Sequence, residues 1–167
     1  MKTVEELLAE LHLTDAKRRE RYEKFFPESD DLIAVVLRGH MLVEEILEAI
    51  LNHHAIDNKA LAGIRLSFEI KHKLAHAFLR IPSPPEMWLS IRALNRLRNK
   101  LAHVVEPENL QGAIHNFIQH STSKIEKDPL ADENDIIRVR ASLGYLLGQL
   151  SVLEVASQYM ESRRQYA

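Results

Sequence analysis

The run PPEMWLSIRALNRLRNKLAH, residues 84–103, carries its apolar side chains at the spacing of a helix. With Met87 set at zero and roughly 100° allowed per residue, Ile91, Leu94, Leu101 and Val105 fall within roughly 40° of it. Pro85 suits a first helical turn, so the spacing predicts a helix from about Glu86 to His103. Upstream, Pro82, Pro84 and Pro85 end an earlier helix that Ser67 caps and that turns Phe68, His72, Ala75 and Leu79 inward. Before that, Asp31 to about His54 reads as a long helix, capped by Ser29 or Asp30, with Leu32, Val36, Val43, Leu47 and Ile50 on one stripe. A loop at Asp57 and Asn58, with a weak turn near Leu61, connects the two. Downstream, Pro107 opens a helix from Leu110 to about Lys124. The acidic stretch from Lys127 to Asn134, interrupted by Pro129, is a loop, and Asp135 starts a terminal helix bearing Ile136, Val139, Leu143, Leu146, Leu147, Leu150, Leu153 and Ala156. At the front, Val4–Leu11 and a second piece from Thr14 to Phe26 read as short helices forming an arm. The predicted fold is an all-α antiparallel bundle of four to five long helices with short N-terminal helices. The arm takes residues 1–28 and the bundle residues 29–167, within one compact domain of 167 residues overall.

Composition narrows the function classes. The 22 basic and 24 acidic side chains leave a formal charge of −2, so no whole-molecule field attracts nucleic acid or anionic lipid, and any nucleic-acid site is local. The absence of cysteine removes disulfides, thiolate nucleophiles and cysteine-ligated zinc, and accords with a reducing, cytoplasmic setting. Met1–Leu13 lacks the basic leader and apolar core of a signal peptide, and no 18-residue uncharged apolar run suggests a membrane span. No compact helix-turn-helix with a basic recognition face is visible, which argues against sequence-specific DNA binding by this chain alone.

The end of the helix at residues 86–103 concentrates the chemistry. Arg98 falls at roughly 20° on the wheel, inside the apolar arc, where a permanent charge needs a partner, a wet cleft or a subunit boundary. Asn99 and His103, at roughly 120° and 160°, share a flank at i,i+4 spacing. A structural reading pairs Arg98 with an acid such as Glu44 and makes His103 a C-terminal cap.

The same residues resemble a known motif. Arg98, Asn99 and His103, set before a helix-ending loop, match the arginine–polar–three residues–histidine pattern of the HEPN superfamily, helical-bundle proteins whose active members are metal-independent endoribonucleases. The runs GHMLVEEIL, residues 39–47, and FEIKHKLA, residues 68–75, are similar to the first long helices of a neighbouring branch that includes the mannitol operon repressor family, whose better-known members are regulators. The likeness extends from about Leu32 to Ala156. It implies an RNA endonuclease, restrained by an antitoxin or stress-activated, or alternatively a non-catalytic regulatory module that docks a partner; a structural helical domain without a site is the third reading of the residues.

The residues suit the first chemistry. Histidine transfers protons near neutrality, and the arginine fork holds phosphate oxygens. One motif histidine per chain favours a homodimer with two copies of Arg98 and His103 across a shared cleft. His40 and Glu44, at i,i+4, are candidate supports, Glu44 as the holder of Arg98. Arg92, Arg96 and Lys100 are candidate RNA contacts along the exposed edge. His53-His54 and the His72/His76 pair lack a third ligand at diagnostic spacing, so no metal or other cofactor is expected. Trp88 and Tyr22 are the aromatics available for base stacking, although tryptophan more often packs in a core.

Overall fold

The structure, a computed structural model, describes residues 3–25, 31–61, 63–79, 81–103, 108–123 and 129–164. The described elements are α1 (Val4–Phe25), α2 (Leu32–His54), α3 (Asn58–Leu61), α4 (Phe68–Phe78), α5 (Pro85–His103), α6 (Leu110–Thr122) and α7 (Asp135–Arg164), with no strand among the described residues. This is the expected all-α antiparallel bundle.

The front of the chain departs from expectation. One helix of 22 residues replaces two short ones. Its start is a reciprocal box in which Thr3 Oγ1 accepts from the Glu6 amide (3.2 Å) and Glu6 Oε2 accepts from the Thr3 amide (2.6 Å). Thr14 begins nothing, because no glycine or proline lies between Leu11 and Asp15 to end the preceding turn. α1 packs along α7, and Arg21 Nη2 reaches Glu45 Oε1 on α2 at 2.6 Å.

Two other starts also move. Asp31 caps α2, accepting from the amides of Ile33 (2.9 Å) and Ala34 (3.3 Å), whereas Ser29 and Asp30 lie outside the described residues. Asn109 caps α6 from a left-handed conformation (φ 53°), and its Oδ1 accepts from the Gly112 amide at 3.1 Å. A Cβ at residue 112 would fall on that carboxamide, so the cap needs glycine there. Pro107, the expected opener, lies outside the described residues.

The core lies between α2 and α7, with α4, α5 and α6 closing around it. Ile46, Leu47, Ile50, Ile91, Leu94, Phe117, Leu143, Leu146 and Leu150 are fully buried. Gly39 lets α2 and α7 meet, since a Cβ there would lie 2.6 Å from Leu143 Cδ1. By length and composition alone, Asp135–Met160 matches a membrane span, but its leucines are the ones packed into this core.

Candidate functional site

The apolar arc of α5 is tight at Met87, Ile91, Leu94 and Leu97, all at or below 1% exposure, and loosens in the last turn, where Leu101 is only half-buried. Arg98 therefore sits on the wheel as the periodicity predicts but emerges, half-buried, in the wall of a hollow of about 390 Å³. His40 and Glu44 from α2, Leu66, Ser67, Phe68 and Glu69 around the start of α4, and Asn95 and Asn99 from α5 also line it.

Arg98 Nη1 donates to Asn99 Oδ1 at 3.0 Å, and among the described residues no carboxylate lies within ion-pair distance of it. The expected clasp between Arg98 and Glu44 is absent. Glu44 Oε1 is bound instead by Lys71 Nζ at 2.9 Å, and the same ammonium reaches Glu48 Oε2 at 2.9 Å. The other acid of the hollow, Glu69, is held by Lys73 at 2.7 Å, and this pairing holds its carboxyl below the usual range. Both acids are thus neutralised by α4 lysines two residues apart, Lys71 and Lys73, and the guanidinium is left facing the opening.

His40, a candidate support, is a packed core histidine that lines the hollow. It is 6% exposed, its ring stacks on Phe68 with centroids 3.9 Å apart, and Nε2 donates to Asn95 Oδ1 at 3.2 Å. Burial lowers its pKa below the ordinary 6.5, against the Asn95 hydrogen bond and Glu44, which raise it. His72 is lowered too, first by burial and then by His76 and Arg92. The unfolded chain binds these two protons near pH 6.5 and the folded chain resists them until lower pH. Stability is accordingly full above that value and falls as the pH drops toward the lowered native values. Melting temperatures taken from about pH 7.5 to about pH 5 should decline, and His40→Gln should flatten the decline. An unchanged slope in the variant would contradict this account.

A second, larger opening of about 810 Å³ runs between α4 and α5 and shares Phe68, Glu69, Asn95 and Asn99 with the first. Arg92 and Arg96 project into it from α5, both exposed. Lys100 does not join them. It lies about 200° around the helix from Arg98, and its Nζ donates to the Glu108 carbonyl at 2.7 Å. The backbone of His103 ends α5, one turn beyond Asn99, and its side chain lies outside what is described.

Among the sequence-predicted residues, Arg98, Asn99, His40 and Glu44 thus meet at one hollow, and Arg92 and Arg96 meet Asn99 in the adjoining groove. Asn95 was not anticipated, though it touches both openings. Its position three before Arg98 and four before Asn99 is the signal that would have found it. Lys71 and Lys73 were also missed, because their partners come from another helix or point away from any motif. His72 and His76 do not converge on a shared point; both rings lie against the Trp88 indole. No group of three histidine, aspartate or glutamate side chains among the described residues is placed to hold a metal ion. The pair His54 Nε2 and Ser157 Oγ, 3.1 Å apart, has the spacing of a base and a nucleophile, but Ser157 has 0% exposure and no substrate reaches it. No family model matches the chain, and no curated protein or solved structure matches it.

Proposed function

We propose that the protein is a metal-independent RNA endonuclease working as a homodimer, with Arg98 binding phosphate, Asn99 holding Arg98 in place and His103 transferring protons. The observation that carries this reading is the state of Arg98. It is a half-buried guanidinium in the wall of an open hollow, braced by Asn99, while the acids beside it are bound to Lys71 and Lys73. A permanent cation with no carboxylate at ion-pair distance among the described residues, set in a concave site, suits an anion, and the fork of arginine suits a phosphodiester.

In the proposed reaction the 2′-hydroxyl of a ribose attacks the adjacent phosphorus. A base accepts the hydroxyl proton, the P–O bond to the 5′-oxygen breaks, and an acid returns a proton to that oxygen. The products are a 2′,3′-cyclic phosphate and a 5′-hydroxyl. Arg98 stabilises the charge that builds on the phosphoryl oxygens. His103 and its copy in the partner subunit divide the base and acid roles. A homodimer has support in α2 and α4, which build the hollow and also leave Met41 61% and Ile70 45% exposed.

Purified protein incubated with total RNA in excess chelator tests the proposal. Fragments carrying 2′,3′-cyclic phosphate ends are expected, with light scattering giving the mass of a dimer. RNA left intact, cleavage abolished by chelator, or a monomer that cleaves would each overturn the reading as stated.

A further inference from the structure

We propose that the groove between α4 and α5 is a binding site for one nucleotide unit, with the base lying on the His76 ring and the phosphate on Arg92 and Arg96. Its volume of about 810 Å³ falls in the range of pockets that enclose small molecules. The floor is a layered aromatic platform. Trp88 is 4% exposed and pinned by its Nε1, which donates to Ser83 Oγ at 2.8 Å. The His76 ring stacks on it with centroids 4.4 Å apart and planes at 18°, while His76 itself is exposed to the groove. One face of the imidazole is thus covered by indole and the other is offered as a flat, pre-oriented surface, which a nucleobase can cover in turn.

The charges complete the site. Arg92 and Arg96 follow Trp88 at one and two turns of α5, roughly 6 and 12 Å along the axis. Neither is within ion-pair distance of a carboxylate among the described residues. Glu69, the single acid of the lining among the described residues, is held by Lys73, so the groove presents a positive strip beside an aromatic shelf. A flat ring joined to a phosphate is the chemistry that uses all of these features. Arg98 does not line the groove, so the inference holds or fails without the cleavage proposed above.

Trp88 is the only tryptophan in the chain, and its fluorescence reports on this groove directly. Full-length protein would be titrated with adenosine 5′-monophosphate, a short single-stranded RNA oligonucleotide, and inorganic phosphate. A saturable change with the first two is expected, tighter than with phosphate alone. Tighter binding of the monophosphate identifies a free nucleotide as the source, and tighter binding of the oligonucleotide identifies a strand. The Arg92→Ala/Arg96→Ala double variant, altered only at exposed positions, should bind at least about tenfold more weakly, as expected for lost charge-assisted contacts. His76→Ala should reduce the response to the monophosphate and leave the response to phosphate unchanged. No saturable change up to millimolar ligand, equal affinity for phosphate and monophosphate, or undiminished binding by the double variant would overturn the proposal.

Discussion

Arg98→Ala is expected to slow RNA cleavage by about 10²–10³-fold, the range for loss of one group that stabilises developing charge at a reacting centre. Its melting temperature should stay within about 2 °C of the parent, because a substitution that breaks no core packing or buried ion pair changes stability by about 0.5 kcal/mol or less. The two halves of the expectation rest on the same geometry. Arg98 is braced by Asn99 and has no carboxylate at ion-pair distance among the described residues, so its removal strands no buried charge. Arg98→Lys keeps the charge but loses the planar fork, and should recover only part of the rate. If Arg98→Ala cleaves at the parental rate, Arg98 is not the phosphate ligand. If it unfolds, its role is structural, as the anchor reading of the sequence would have it.

How far the site was legible follows from the kind of information each residue carries. The wheel position of Arg98 depends only on helical period, and the structure keeps it, as it keeps the Ser67 cap and the inward Phe68 and Ala75 of α4. Pairings across helices depend on register and side-chain reach, which periodicity does not encode. Glu44 therefore goes to Lys71, 27 residues away in sequence yet adjacent in space, and not to Arg98. Lys100 reads as one more cation on a basic helix, but its ammonium is taken by the Glu108 carbonyl. The front helix shows a different limit. Thr14 is a good cap by residue type, but Thr3 is a better start because Glu6 stands at the reciprocal position, and nothing between them and Phe25 interrupts the helix. Trp88 sits on the boundary between the two cases. Its burial matches the ordinary fate of tryptophan, and only the arrangement of His76 over its face turns a core residue into the support of a groove.

Gly39→Ala is expected to destabilise the parent chain and to stabilise a Leu143→Ala background. Two effects compete at this position. In a helix interior, alanine gains about 0.5–1 kcal/mol over glycine through backbone entropy. Against that, the new Cβ would lie 2.6 Å from Leu143 Cδ1, 2.7 Å from Cδ2 and 3.1 Å from Cγ, and Leu143 has 0% exposure. Overpacking of a tight core costs about 1–3 kcal/mol, so the steric cost exceeds the helical gain and the net change is a loss. Leu143→Ala alone should cost about 2–5 kcal/mol, the range for a buried leucine truncated to alanine. It also removes the atoms that the Gly39 methyl would meet. In that background only the helical gain remains, so Gly39→Ala should add about 0.5–1 kcal/mol of stability. The sign therefore reverses between backgrounds, with a coupling of about 1–3 kcal/mol, as expected for residues in direct contact. Urea unfolding of the parent, both single variants and the double variant, with unchanged slopes, measures the cycle. If Gly39→Ala costs the same in both backgrounds, or stabilises the parent, α2 and α7 do not approach at this point as closely as their packing requires.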